Sequence, residues 1–320
     1  MQYEYELIPH DYGEYHLFMV ELLYRTPHMH RDFELSWILD GETEVSFGPE
    51  KLILKKNDLF IANPYDIHEL HSVSPALILS LQVSPAFFMP FFSGIEHLVF
   101  PDHRFSTEAA SSVRTLLYQI AINYVKKEPM YELLCASAIN QLFYRLFSDL
   151  PFSSRTNKEL LQSRKKGDLM VKIVNYIDTH SGEKLLLSDI AENENINLYY
   201  LSHLFKNSFG MPFQEYLSRV RCEKARKQLI LTDLSLLDIC IGCGFSDPKY
   251  FNRDFRRQYG CTPRQYRQQL STADQQAEKA QTLTVQDFLD SENSLEILEN
   301  RHLSFNEPSE SEIRSHEHAV

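Results

Sequence analysis

Nowhere in its 320 residues does the chain approach the roughly 18 consecutive apolar residues that a membrane-spanning helix needs. The most apolar windows, 76–83 and 85–92, are far too short. The start, Met1-Gln-Tyr-Glu-Tyr-Glu-Leu, lacks the basic and apolar regions of a secretory signal, so a cytoplasmic address is expected. Cysteine is also sparse. Five residues, Cys135, Cys222, Cys240, Cys243 and Cys261, are odd in number and widely spread, unlike a disulfide scaffold, and are expected as reduced thiols. Cys240 and Cys243 form a CxxC without a second pair, beside Ile239 and Ile241. One pair supplies too few ligands for a zinc site, so a buried helix is expected there.

What is present is 43% hydrophobic residues, enough for two or three cores. Charge is distributed unevenly beneath the formal net of −12. Residues 1–165 carry 14 basic against 21 acidic side chains, 166–270 carry 15 against 12, and 271–320 carry 3 against 11. Within the stretch from Lys249 to Arg267, Lys249, Arg253, Arg256, Arg257, Arg264 and Arg267 are opposed by Asp254 alone. Another cluster, Arg219, Arg221, Lys224, Arg226 and Lys227, is offset by Glu223. Such stripes permit nucleic-acid binding and equally suit a solvated helix face.

Residues 15–83 read as β, with short segments at Glu34–Leu39, Thr43–Phe47, Lys51–Leu54 and Leu59–Ala62 separated by turn residues, the pattern of a sandwich or barrel. Residues 107–147 change to helical periodicity, giving two antiparallel helices joined near Lys126–Pro129. Residues 151–167 are polar, carry breakers and read as a linker. Beyond them the chain is helical to about Gln269. The acidic segment 271–320 reads as a disordered extension with one marginal helix.

Within 168–267 a pattern occurs twice. A short helix begins at Leu187, a turn falls at Asn195-Ile196, and Asn197 caps a second helix closed by Gly210. In the second copy Ser235 starts a helix, 242–245 hold the turn, Asp247-Pro248 opens a helix and Gly260 closes it. This is the helix-turn-helix, whose second helix enters the major groove. Between the copies, residues 213–231 predict one helix, about 28 Å long at ~1.5 Å per residue. Reading helices held by such a strut could enter grooves one turn apart, ~34 Å.

Three stretches carry a resemblance: Leu201-Ser-His-Leu-Phe-Lys-Asn-Ser-Phe-Gly; Tyr216-Leu-Ser-Arg-Val-Arg with Ala225; and Gly244-Phe-Ser-Asp-Pro-Lys-Tyr-Phe-Asn-Arg-Asp-Phe-Arg-Arg-Gln-Tyr-Gly-Cys-Thr-Pro-Arg-Gln-Tyr-Arg. Over about 100 residues the chain resembles the AraC/XylS transcriptional regulators. The resemblance implies double-stranded DNA as partner, with base contacts from Tyr199, Ser202 and His203 in the first reading helix and from Lys249, Asn252 and Arg253 in the second. Lys206 and Arg256 suit the backbone. Arg253 is the best single candidate, because Arg pairs bidentately with guanine O6 and N7. His203 departs from the Arg or Gln frequent in the family. Leu201, Phe205, Phe251 and Phe255 are expected in the core.

In the β region, His28, His30 and Glu34 stand at i, i+2 and i+6, on one face of an extended strand, and His68 follows. The spacing resembles the cupin motifs, although Leu22 stands where a Gly is expected. Three imidazoles and a carboxylate could hold a metal, or contact an organic effector as in AraC-type regulators with such a barrel. Tyr24, Trp37 and Tyr65 are candidates for stacking on a sugar or other ring.

The expected architecture is α+β multidomain: a cupin-like effector-binding barrel (1–105), a helical dimerisation segment (106–150), a linker (151–167), an all-α double helix-turn-helix domain (168–270) and the acidic extension (271–320). The expected function is a non-enzymatic, sequence-specific transcriptional regulator, more an activator than a repressor. A small molecule, such as a sugar, would be held by His28, His30, Glu34, Trp37 and His68. Partners would be DNA, the effector, a second copy of the chain and RNA polymerase; no cofactor is expected. The alternative is a metal-dependent cupin enzyme or metal sensor, using His28, His30, Glu34 and His68, joined to a DNA-binding domain.

Overall fold

The computed structural model describes residues 14–105, 107–272 and 286–305. Turn punctuation and β-rich composition produce β1 (Tyr15–His28), β2 (Phe33–Asp40), β3 (Glu42–Phe47), β4 (Glu50–Lys55), β5 (Leu59–Ala62) and β6 (His68–Val83). Strand β6 organises the domain. Its second half pairs antiparallel with β1 on one edge (Tyr15↔Val83) and with β2 on the other (Phe33↔Val83), while its first half meets β3 (Glu44↔His71). The tight turn at Gly48, with φ of +58°, joins β3 to β4.

Period-2 alternation then sorts the side chains into two layers. Val20, Ile38, Val45, Leu54, Phe60 and Ile78 fill the barrel. Leu17, Leu35, Trp37, Leu79 and Leu81 point the other way, into a second core closed by helices. After a short helix α1 (Pro85–Phe88), that lid is the antiparallel pair α2 (Thr107–Lys126) and α3 (Tyr131–Asp149), which bury Leu117, Ile120, Ile139 and Leu142 against the sheet. Minor strands β7 (Leu98–Val99) and β8 (Ser153–Ser154) tie the helical pair's exit back to the barrel.

The expected linker is shorter than 151–167. Helix α4 (Asn157–His180) starts inside it, because Thr156 and Glu159 form a reciprocal capping box. Gly167 is no breaker but a close approach: a Cβ there would meet Met29 Cε at 2.6 Å. Six helices follow: α5 (Leu187–Asn193), α6 (Leu198–Phe209), α7 (Phe213–Leu231), α8 (Leu236–Gly242), α9 (Pro248–Tyr259) and α10 (Pro263–Thr272). The start of α7 packs with α4–α6, and its end with α8 and α9, so one helix serves two small cores. Cys222, Cys240 and Cys243 are buried in the second of them as free thiols.

The acidic segment corrects its expectation of disorder over 286–305. Strand β9 (Gln286–Phe288) adds to the edge of β1, and α11 (Ser291–Phe305) lies against α2. Leu298 is fully buried in the helical-pair core, and Glu299 pairs with Lys126 at 3.2 Å. The apolar residues of this segment are too few to fold alone; they order by joining a core that already exists. The rest of the expected disordered extension, 273–285 and 306–320, lies outside the described residues.

Among the described residues no helix is long and apolar enough to cross a membrane.

Candidate functional site

The two reading helices are built by local capping. Asn197 accepts the amides of Tyr199 and Tyr200, and Asp247 accepts that of Lys249 at 2.6 Å, ahead of Pro248 at the first position of α9. Gly210 and Gly260 close the helices in the left-handed region, at φ of +66° and +74°. Leu201, Phe205, Phe251 and Phe255 are fully buried. Tyr199, Ser202, His203 and Lys206 on α6, and Lys249, Asn252, Arg253 and Arg256 on α9, are all exposed.

Arg253 is held in position. Its Nε donates to Asp254 Oδ1 at 2.7 Å, and Ser218 of α7 donates to Asp254 Oδ2 at 2.8 Å. The guanidinium lies 5.0 Å from the Tyr250 ring centroid. Nε is thus engaged within α9, and a bidentate contact would have to come from the terminal nitrogens.

The other basic cluster has a different role. Arg221 donates to the carbonyls of Ser181 and Glu183, Lys224 donates to that of Asp178, and buried Arg226 makes a bidentate pair with Glu223. The Arg221 and Lys224 contacts fasten α7 to the end of α4 and the loop after it, while the Arg226–Glu223 pair lies within α7. The barrel abuts this module: the Gly48 turn touches the end of α6, and Arg219 approaches Glu69 at 3.6 Å.

Inside the barrel, His28, His30, Glu34 and His68 converge as expected, although not along one strand. Strand β1 ends at His28, and 29–32 turn the chain into β2. Glu34 Oε2 accepts from His30 Nε2 at 2.9 Å and from Gln82 Nε2 at 2.8 Å, while Oε1 accepts from Ser36 at 2.8 Å. Ser36 also bonds Ser80 at 2.7 Å. His30 Nδ1 faces the carbonyl of Asp32 at 2.8 Å, so both ring nitrogens meet oxygen acceptors and the ring is an imidazolium. Burial opposes that charge, but the Glu34 hydrogen bond and carboxylate overcome it and raise the His30 pKa. Burial likewise disfavours the Glu34 carboxylate, yet the His30 hydrogen bond and the neighbouring imidazoles hold its pKa well below the usual range.

His68 is different: burial pushes it down to about 4. Its Nδ1 donates to the Asp66 carbonyl at 3.1 Å, which leaves Nε2 as a buried lone pair without a hydrogen-bond partner. Gln82 Oε1 is a second buried acceptor without a partner. Burial and the nearby His68 hold half-buried His28 well below the ordinary imidazole range.

Trp37 does not join this group. Alternation along β2 sends Glu34 and Ser36 inward and Trp37 to the opposite face, among the helical-pair core. Tyr24 lies against His71, and Tyr65, whose amide donates to the His30 carbonyl at 2.9 Å, carries Arg164 at 5.8 Å from its ring centroid. Ser36, Ser80 and Gln82 were not anticipated. Their signal is period-2 polarity inside apolar strands, as in Leu79-Ser80-Leu81-Gln82-Val83.

By donor type, a divalent transition metal fits part of the set. One ligand atom each from His28, Glu34 and His68 lie within 4.8 Å of one another. His30 does not fit, since both its nitrogens are engaged.

Two domain families match this chain: an AraC-like ligand binding domain over residues 12–163 and a helix-turn-helix domain over 190–269. The chain belongs to the AraC/XylS family of transcriptional regulators. Regulatory protein PocR of Salmonella typhimurium strain LT2 is 36% identical over 131 residues, 41% of this chain and 43% of that protein. An uncharacterized HTH-type transcriptional regulator of Staphylococcus aureus strain MRSA252 is 24% identical over 234 residues, 73% of this chain and 31% of that protein. The chain thus spans less than half the length of these relatives. Among solved structures, the C-terminal domain of the two-component response regulator yesN from Fusobacterium nucleatum is 38% identical, covering 31% of this chain and 98% of that one with a TM-score of 0.30.

Proposed function

We propose that the chain is a cytoplasmic, non-enzymatic, sequence-specific DNA-binding regulator that activates transcription in response to a small organic effector in the barrel. The observation that carries the DNA half is the duplicated, capped reading helix with all eight sequence-selected contacts exposed. Tyr199, Ser202, His203, Lys249, Asn252 and Arg253 read bases, while Lys206 and Arg256 hold phosphates.

The effector half is supported by the two unpartnered acceptors, His68 Nε2 and Gln82 Oε1. A ligand rich in hydroxyl donors, such as a sugar, would satisfy both. Binding would bias the contact between the Gly48 turn and α6, and so the presentation of the first reading helix. A homodimer through α3 is supported by its outward apolar residues Leu133, Leu134 and Tyr144, which would place two modules on repeated half-sites. Its DNA-bound dimer would then contact RNA polymerase.

A second reading is favoured by the His28, Glu34 and His68 triad, which would make a divalent metal the signal. One experiment separates the two: thermal unfolding of the full chain across sugars and small metabolites, with and without chelator. A ligand at 100 times its dissociation constant adds about 2.7 kcal/mol, a shift of several degrees. A shift that survives chelator supports the organic effector, one that chelator abolishes supports the metal, and no shift with either contradicts a sensing barrel.

A further inference from the structure

The barrel chamber bounded by Phe18, Val20, His28, Glu34, Ser80 and Gln82 has a volume of only about 30 Å³. That is room for about one or two waters, against ~300–1,000 Å³ for ordinary ligand sites. An effector therefore requires a wall to move. Most walls cannot move cheaply: the pocket-facing half of β6 is paired on both edges, to β1 and to β2, and β2 is itself paired on both edges.

One wall differs in kind. Phe288 of β9 also lines the chamber, opposite Val20 and edge-on to Phe18 at 5.4 Å. Strand β9 is held to β1 by three paired positions, Val20↔Phe288, Glu21↔Asp287 and Leu22↔Gln286, and by the Leu289 amide to the Met19 carbonyl at 3.0 Å. Phe288 remains 49% exposed, so little apolar area keeps it in place. Just beyond it, buried Leu298 and the Glu299 to Lys126 pair fix α11 to the helical pair.

We propose that the C-terminal strand β9 is the lid of the effector chamber, hinged at α11, and that Phe288 determines what is admitted. The proposal rests on the effector reading of the barrel and adds to it a specificity residue outside the barrel sequence. It also supplies a route to the DNA-binding module. Strand alternation turns Phe288 toward the chamber and Asp287 toward the cleft between the domains, which Arg257 of α9 lines from the other side. A lid that lifts to admit ligand withdraws an acidic side chain from the second reading helix.

The test needs no effector. Ser80 lines the chamber and is buried, so Ser80→Cys in the full chain places a thiol behind the lid. Its alkylation by iodoacetamide is followed by peptide mass spectrometry, relative to native, part-exposed Cys261. Phe288→Ala removes the lid side chain, and Glu299→Lys weakens the hinge without touching the chamber. Each is expected to speed labelling at position 80 by about tenfold or more, through local opening, with amide protection in β6 unchanged. A change below about twofold in both variants overturns the lid. So does faster labelling accompanied by loss of β6 protection, which would make Phe288 an ordinary packing residue. If the lid passes this test while no metabolite shifts the melting temperature, the effector reading falls and the lid stands.

Discussion

Replacing Glu34 by Ala removes the centre of the barrel's polar network. Three buried donors lose their acceptor together: His30 Nε2 at 2.9 Å, Gln82 Nε2 at 2.8 Å and Ser36 Oγ at 2.8 Å. The His30 imidazolium would be left buried without its counter-charge, a change that costs about 3–5 kcal/mol in comparable pairs. Three hydrogen bonds to a charged acceptor, at roughly 1.5–3 kcal/mol each, give a similar or higher figure. Neutralisation of His30 and entry of water into the vacated space keep the net cost near the lower one. For a domain of this size 1 kcal/mol moves the melting temperature by about 2–4 °C, so the barrel transition should fall by roughly 6–20 °C. The assay is thermal unfolding followed by near-ultraviolet circular dichroism, where Trp37 reports the core beside the network. Glu34→Gln, which keeps the shape and one carbonyl acceptor, should fall between wild type and Glu34→Ala. A shift below about 2 °C for Glu34→Ala would refute the ion-pair assignment.

Two further outcomes follow from the same chemistry. His68 has a folded pKa of about 4 against a reference of 6.5, so the unfolded chain takes up its proton first as pH falls. Stability is therefore lost from pH 6.5 down to 4, by about 3 kcal/mol. His30, with a raised pKa, contributes stability present below its unfolded value and lost as pH rises through its folded one. Denaturant midpoints across a pH series should show a shallower acid slope in His68→Phe, and an unchanged slope would contradict the neutral assignment. On the DNA side, Arg253→Ala should relax sequence preference, whereas Arg256→Ala should weaken binding uniformly and flatten its salt dependence, as read by fluorescence anisotropy. Equal behaviour of the two variants would contradict the division of roles.

Legibility in the sequence followed how local each determinant is. Helices α6 and α9 were readable because Asn197, Asp247-Pro248, Gly210 and Gly260 are local caps. His28, His30 and Glu34 were readable from their spacing and His68 from the resemblance to the cupin motifs, even though the strand break at 29–32 was not. Trp37 was misplaced because residue type suggested a ligand contact, while alternation from Glu34 sends it to the other face. The segment 286–305 was unreadable for a different reason. Leu298 and Phe288 gain order from α2 and β1, partners about 170 or more residues away in the chain, and nothing local records them.

The most direct test of the account is selection of duplex DNA from a random library by the full chain and by Arg253→Ala. Two exposed reading helices held by one strut predict enriched sites with two conserved blocks about one helical turn, ~10 base pairs, apart. The block read by α9 should lose its consensus in Arg253→Ala. Enrichment of a single block, or of no sequence at all, would contradict a duplicated reader.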